Sequence, residues 1–213
     1  MVQRLKTAKE GWFWLVKLVY MFVGFPFLLF VGLVTLYALN SPRAEAKIAG
    51  LPLFALLVWA AVLIPVGVFA YGVFSRRRLL KSITASLRDP GYFDPDAAYE
   101  TYHEGDGKYL GIDIRNGTIL YVHKIRKGAV DVVGLTMDDW TDREVDGKML
   151  RIYTKLPQLP RIEISTPWAQ QWFDTLGAME HKRSNTPRGF AGYVGNRLEQ
   201  LELDHHIQIP RLA

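Results

Sequence analysis

The chain has 213 residues, a formal charge of +5 and no cysteine, which excludes disulfides and thiol chemistry. Its charge is unevenly divided, because residues 82–213 hold 16 Lys and Arg against 19 Asp and Glu and are therefore near −3. The basic pI of 9.4 comes from the first 81 residues, so it does not indicate a nucleic-acid-binding protein.

Two long apolar stretches occupy most of the first 81 residues. The first covers about residues 15–39, and the second covers residues 51–74 without a charged side chain. At a rise of 1.5 Å per residue, a helix of about 20 residues crosses a hydrocarbon core roughly 30 Å thick. The sequence therefore predicts a two-helix transmembrane hairpin over residues 1–81.

Basic residues lie at both outer ends of this hairpin. The N-terminal segment carries Arg4, Lys6 and Lys9, whereas the connecting loop at residues 40–50 is less basic. Because Lys and Arg next to a span stay on the cytoplasmic side, the pattern predicts a multi-pass protein of the bacterial inner membrane. Its N-terminus and its C-terminal domain would both be cytoplasmic. The predicted membrane flank after the second stretch consists of Arg76, Arg77, Arg78 and Lys81.

The residues after the hairpin are predicted to form a connector and then a β-rich domain. Residues 82–107 contain several turn signals and form the connector. From Lys108 the apolar residues recur with a period of two, and Asn116-Gly117 separates two such runs as a hairpin turn. The predicted antiparallel strands are residues 108–114, 118–125, 130–135, 140–145, 149–154 and 161–165.

One amphipathic helix is predicted to follow the strands. Thr166 would cap its N-terminus, with Pro167 at the first helical position. The expected fold is an α+β membrane protein, in which an antiparallel β barrel of the pleckstrin-homology type over residues 108–181 is closed by this helix. Residues 182–213 are predicted as a polar C-terminal tail with a short helix at residues 197–203. The apolar face of the closing helix consists of Trp168, Trp172, Phe173, Leu176 and Met179.

Residues with catalytic or metal-binding chemistry are few. The densest acidic group lacks the Asp-x-Asp-x-Asp-Gly order of a calcium loop and is interpreted as turns and strand ends. The histidines are scattered, and a site of four convergent donors is not expected from them. The sequence therefore predicts no catalytic residue, no metal, no cofactor and no enzymatic activity. The acidic group consists of Asp138, Asp139, Asp142, Glu144 and Asp146.

One basic cluster is the candidate binding site. It consists of Lys124, Arg126 and Lys127, with Tyr121 beside them. On a domain tethered to a membrane, these cations would attract anionic headgroups, each adding about 1 kcal/mol near the surface. The alternative is a solvated hairpin end, and the sequence leaves both interpretations open. Arg and Tyr also concentrate binding energy in protein interfaces, so the same cluster is a candidate protein-binding surface.

Several segments in a fixed order resemble a known family. They are Ser75-Arg76-Arg77-Arg78, residues 90–95 (PGYFDP), 108–113 (KYLGID), 117–122 (GTILYV) and 130–135 (VDVVGL). Together with the basic N-terminus and the two-span hairpin, this order resembles the surface or entry exclusion proteins of IncI-type conjugative plasmids. The resemblance covers most of the chain.

This resemblance implies an inner-membrane protein that blocks redundant conjugative transfer by recognising a component of the donor's conjugation apparatus. It brings no catalytic residue. The expected partners are this donor protein and the phospholipid membrane, and not nucleic acid. The alternative function is a membrane-anchored scaffold, or a module of the pleckstrin-homology type that senses anionic lipid. Only the first function predicts a selective fall in transfer from matched donors.

Overall fold

The computed structural model describes residues 15–16, 18–41, 50–126, 128–180, 187 and 189–211. The chain divides into two compact units, Met1–Gly72 and Val73–Ala213. The predicted N-terminal flank with Arg4, Lys6 and Lys9 lies outside the described residues, as does most of the loop between the two apolar stretches.

Two apolar helices form most of the first unit. A π-helical turn at Tyr20–Gly24 leads into helix α1, Phe25–Asn40, and helix α2, Leu51–Leu87, begins in this unit and ends in the second one. Both Tyr20–Asn40 and Leu51–Leu87 are long and apolar enough to cross a membrane, and an 18-residue window within each has a mean hydropathy of 2.2 and 2.6, respectively. The two predicted apolar helices are therefore confirmed, and most of their large apolar side chains are exposed.

Within the first unit, α1 and α2 contact each other at a glycine. Gly32 of α1 faces the indole of Trp59 in α2, and a Cβ atom at residue 32 would lie 3.2 Å from the Trp59 Cε2 atom. Tyr20 donates a hydrogen bond of 2.8 Å from its hydroxyl to the Ala61 carbonyl oxygen. A side chain at residue 32 would require the Trp59 indole to shift by a few tenths of an ångström, and small residues are enriched where apolar helices pack this closely.

In the described part of the second unit, seven strands form two antiparallel sheets. The first sheet has the order β1–β2–β3–β4, and the second has the order β5–β6–β7. β1 lies in the predicted connector, and the predicted hairpin at Asn116-Gly117 is confirmed by the pairing of β2 with β3. The strands are Glu100–His103, Lys108–Asp113, Thr118–Arg126 and Ala129–Thr136 for β1 to β4, and Trp140–Asp146, Met149–Thr154 and Arg161–Ser165 for β5 to β7.

The sequence predicts a β barrel closed by the C-terminal helix, and no closed barrel is found among the described residues. In the part of the second unit that the structure describes, no strand pairing joins the first sheet to the second. The chain instead makes a tight turn after β4, where the Asp139 carboxylate accepts hydrogen bonds from the Thr136 amide at 2.7 Å and from the Thr136 hydroxyl at 2.6 Å. This turn leads the chain from the first sheet to the second, so β4 and β5 are consecutive in sequence but do not pair with each other.

The first hydrophobic core lies between the two sheets and contains side chains from both of them. Helix α3, Ala169–Glu180, packs against this core with Trp172, Leu176 and Met179. Trp172 is fully buried, and its Nε1 atom donates a hydrogen bond of 3.0 Å to the Ala98 carbonyl oxygen. The predicted amphipathic helix is therefore confirmed.

A second hydrophobic core covers the opposite face of the first sheet. The end of α2 contributes Leu80, Ile83 and Leu87 to it, and helix α4, Phe190–His205, covers the rest. This helix is longer than the one predicted at residues 197–203. It lies within the segment interpreted as a polar tail, of which residues 182–186, 188 and 212–213 are outside the described part. The buried residues of α4 recur at helical spacing and are Phe190, Val194, Leu198 and Leu201.

The segment after α4 continues the first sheet at its edge. The Val130 amide donates a hydrogen bond of 3.0 Å to the Gln208 carbonyl oxygen, and the Gln208 amide donates one of 2.7 Å to the Gly128 carbonyl oxygen. Ile207 and Ile209 on either side are buried in the second core. The first sheet is therefore covered on both faces, and its β4 edge is paired near the β3–β4 hairpin.

Candidate functional site

The predicted basic cluster lies at the end of the hairpin formed by β3 and β4. The pairing register shifts between Lys124 and Arg126, and the turn contains Gly128 with a φ of 80°. A β-bulge re-aims the side chains around it. Lys124 is half-buried here, whereas Arg126 is exposed. Lys127 lies outside the described residues.

Tyr121 does not lie on this basic surface. Its side chain is 3% exposed and belongs to the core between the two sheets, whereas Val122 belongs to the core under α4. Because side chains alternate across a strand, Lys124 lies on the Val122 side of β3. The structure thus places Tyr121 in the interior, away from the cations that the sequence put beside it.

Two of the four basic residues of the membrane flank bind the turn between β1 and β2. Arg76 donates a hydrogen bond from Nη1 to the Gly105 carbonyl oxygen. Arg77 forms an ion pair with Glu104, with 3.4 Å between Nε and Oε1. These contacts lie inside the second unit, so the start of the basic flank is part of the folded domain.

The other two flank residues, Arg78 and Lys81, are exposed. The Lys81 Nζ atom lies 6.0 Å from the centroid of the Tyr102 ring in β1. At an exposed site such a cation–π contact stabilises by about 0.5–1 kcal/mol. Arg76 and Arg77 therefore bind the β1–β2 turn, whereas Lys81 lies over a ring of β1.

Gly107 is where Arg76 and Lys124 come together. Its φ of 67° favours glycine, and a Cβ atom there would lie 3.1 Å from the Lys124 Cβ atom and 3.8 Å from the Arg76 Cδ atom. The Lys124 amide also donates a hydrogen bond of 2.8 Å to the Gly107 carbonyl oxygen. The helix, the turn and the strand thus bring two cationic side chains, distant in sequence, to one place, which we call the Arg76–Lys124 pair.

The charges of the Arg76–Lys124 pair are not neutralised by described side chains. Among residues 50–126, 128–180 and 189–211, no ion pair includes Arg76 or Lys124. The nearby Glu104 pairs with Arg77. Partial burial, and then the positive charge of Arg76, lower the pKa of Lys124 below its ordinary value. An anion at this place would be attracted by both charges.

Acidic residues of the second sheet form ion pairs between neighbouring strands. Arg151 of β6 pairs with Glu144 at 3.2 Å and with Asp146 at 3.1 Å, and both partners belong to β5. No group of three or more His, Asp or Glu is arranged to hold a metal ion among the described residues. In this part of the chain, these carboxylates therefore support the pairing of β5 with β6.

Trp168 is a surface residue that the helical spacing had assigned to the core. It is 58% exposed, and its amide donates a hydrogen bond of 3.3 Å to the Thr166 hydroxyl oxygen. Helix α3 begins at Ala169, and Trp168 directly precedes it, with its carbonyl oxygen accepting a hydrogen bond of 3.0 Å from the Trp172 amide. Exposed tryptophan is favoured in protein interfaces, which makes Trp168 a second candidate contact residue.

Comparison with known proteins identifies one family. The family model described as "Exclusion-determining protein" matches residues 1–213. No curated protein gives a significant match, and neither does any solved structure.

Proposed function

The chain belongs to the exclusion-determining protein family, and from this premise we propose that it blocks redundant conjugative transfer into the cell that makes it. It acts as an inner-membrane protein that recognises a component of the donor's conjugation apparatus. The observation that carries this proposal is the family match over the whole chain. The similarity of residues 75–78, 90–95, 108–113, 117–122 and 130–135 to exclusion proteins of IncI-type plasmids supports the plasmid type.

The membrane part of the proposal is supported by the first unit. Two helices there are long and apolar enough to span a bilayer, and their side chains are mostly exposed. Exposed apolar helices of this length are expensive in water and stable in lipid. The charges of the flanks favour an N-terminus and a C-terminal domain in the cytoplasm.

The recognition part of the proposal assigns partner binding to the second unit. Its four-stranded and three-stranded sheets with the packed helix α3 support a domain of the pleckstrin-homology type. Such a scaffold presents exposed side chains on loops and helix ends, here Arg126 and Trp168. We propose that the domain acts by binding and not by catalysis.

A mating experiment tests this function. Recipient cells that express the chain are mixed with donors carrying a matched IncI-type plasmid or an unrelated conjugative plasmid, and transconjugants are counted. A recipient with a stop codon early in the same gene is the control. We expect transfer to fall only for the matched plasmid. Equal transfer into both recipients from both donors would overturn the proposal.

A further inference from the structure

We propose that the Arg76–Lys124 pair binds the phosphate group of an anionic phospholipid in the membrane that anchors the chain. Of the proposed function, this inference uses only the insertion of the chain into a membrane. To that function it adds a site for a ligand. The site would hold the second unit against the bilayer in one orientation. Its ligand is a phosphate diester that carries a net negative charge, as in phosphatidylglycerol.

The geometry of the pair is fixed by backbone contacts. The Arg76 guanidinium donates to the Gly105 carbonyl oxygen and the Lys124 main-chain amide donates to the Gly107 carbonyl oxygen, so both residues are attached to the same turn. An arginine has five N–H donors, and one hydrogen bond to Gly105 leaves others for a phosphate oxygen. An arginine side chain that this bond already holds loses less conformational freedom on binding than a mobile one.

The electrostatics of the pair favour an anion. Glu104, one carboxylate of the same turn, is engaged by Arg77 at 3.4 Å. Lys124 is partly buried beside Arg76, and both effects make its charged form less stable, as the direction of its pKa shows. A phosphate would compensate this repulsion, whereas a zwitterionic headgroup would do so less because it brings its own cation.

The position of Arg76 in the sequence favours a lipid as the source of the phosphate. Arg76 follows Phe74, the last residue of the apolar stretch, by two positions in helix α2, which corresponds to about 3 Å along the helix axis. If residues 51–74 span the bilayer, Arg76 is at the level of the headgroups. There the local concentration of lipid phosphate exceeds that of any soluble phosphate compound.

Binding is tested with the full chain purified in a neutral detergent. Short-chain phosphatidylglycerol, short-chain phosphatidylcholine and inorganic phosphate are titrated separately, and dissociation constants are measured. We expect phosphatidylglycerol to bind most tightly and the double variant Arg76→Gln/Lys124→Gln to bind it about 30-fold more weakly. This corresponds to about 1 kcal/mol for each cation. Lys124→Gln alone should weaken binding about 5-fold, and Lys124→Arg should restore most of the affinity.

The matched control removes two exposed lysines from loops of the second sheet, as Lys148→Gln/Lys155→Gln. It should change the affinity less than 2-fold, and circular dichroism checks that each variant is folded. Equal weakening in both double variants would overturn the site, because it would reflect net charge alone. Binding of inorganic phosphate as tight as that of phosphatidylglycerol would overturn the lipid assignment.

The failure of this inference is distinguishable from the failure of the proposed function. Lipid binding is measured without donor cells, whereas exclusion is measured by transconjugants. Exclusion that persists while phosphatidylglycerol binds no tighter than phosphatidylcholine would overturn the lipid site alone. Absence of exclusion together with selective phosphatidylglycerol binding would overturn the proposed function and support the lipid site.

Discussion

Gly134 of β4 lies against Val194 of α4, because a Cβ atom at residue 134 would stand 2.7 Å from the Val194 Cγ2 atom. The Phe190 ring is almost as close, with its Cε1 atom 2.9 Å from the same position. Carbon atoms do not approach to this distance without a shift of the structure. Helix α4 therefore packs on the first sheet in its observed place only while residue 134 has no side chain.

Gly134→Ala should destabilise the second unit by about 1–3 kcal/mol, the usual cost of adding a methyl group to a filled core. Urea denaturation of the full chain in detergent, followed by tryptophan fluorescence, measures this. The matched control is Gly195→Ala on the exposed side of α4, where nothing lies within 4 Å of the added carbon. It should stabilise by about 0.5–1 kcal/mol. Equal effects at the two glycines would contradict the close packing of α4.

Trp172→Ala should cost about 3–5 kcal/mol, because the indole is fully buried between α3 and the sheets. That is a large part of the 5–15 kcal/mol stability of a typical domain, so the protein level in cells should fall. Trp168→Ala is the matched control, since its side chain is 58% exposed, and it should change stability by less than about 0.5 kcal/mol. A Trp172→Ala protein that melts like the parent would show that α3 is not part of the core.

Reporter fusions test the orientation in the membrane. A reporter after Ala213 should show cytoplasmic activity, and one inserted near Ala44 should show periplasmic activity, because the outer flanks are more basic than the loop. Neutralising Arg76, Arg77, Arg78 and Lys81 together should make the orientation mixed, and a single substitution among them should do little. Since Arg76 and Arg77 also bind the β1–β2 turn, Arg78→Gln/Lys81→Gln is the cleaner partial test. Periplasmic activity at the C-terminus would reverse the topology.

Reversing the charges of the hairpin end tests partner recognition. The triple variant Lys124→Glu/Arg126→Glu/Lys127→Glu should lower exclusion at least about tenfold, which corresponds to about 1.4 kcal/mol of binding free energy. Membrane insertion and protein level should stay unchanged, as immunoblots of membrane fractions can show. Tyr121→Ala should instead lower the protein level, because Tyr121 is buried.

The pair Arg126→Glu/Lys127→Glu separates protein recognition from lipid binding, because it leaves Arg76 and Lys124 intact. Loss of exclusion with unchanged phosphatidylglycerol affinity would assign Arg126 and Lys127 to the donor component. Full exclusion in the triple variant would remove the hairpin end from the recognition surface. A different result would be that the protein turns over a substrate and that one conservative substitution abolishes this turnover. That result would contradict the proposal that it acts by recognition without catalysis.

Several elements could be predicted from the sequence because their signals are local. Three of them are the apolar stretches, the hairpin at Asn116-Gly117 and helix α3. The signal for each comes from residues that are close together in the sequence. Helix α4 was missed in most of its length because Gly189, Gly192 and Gly195 are typical of turns. Its apolar repeat from Phe190 to Leu201 was the available signal.

The sequence by itself determined the apolar helices, the β-rich character of the middle of the chain and the amphipathic helix α3, since hydrophobic period and length fix these locally. Only the tertiary structure decided that the strands form two sheets and that Tyr121 is interior. It also decided that Arg76 and Lys124 both lie next to Gly107. The reason is that the period of two assigns side chains to the two faces of a strand but does not show which element packs on each face. Contacts between residues distant in sequence decide that.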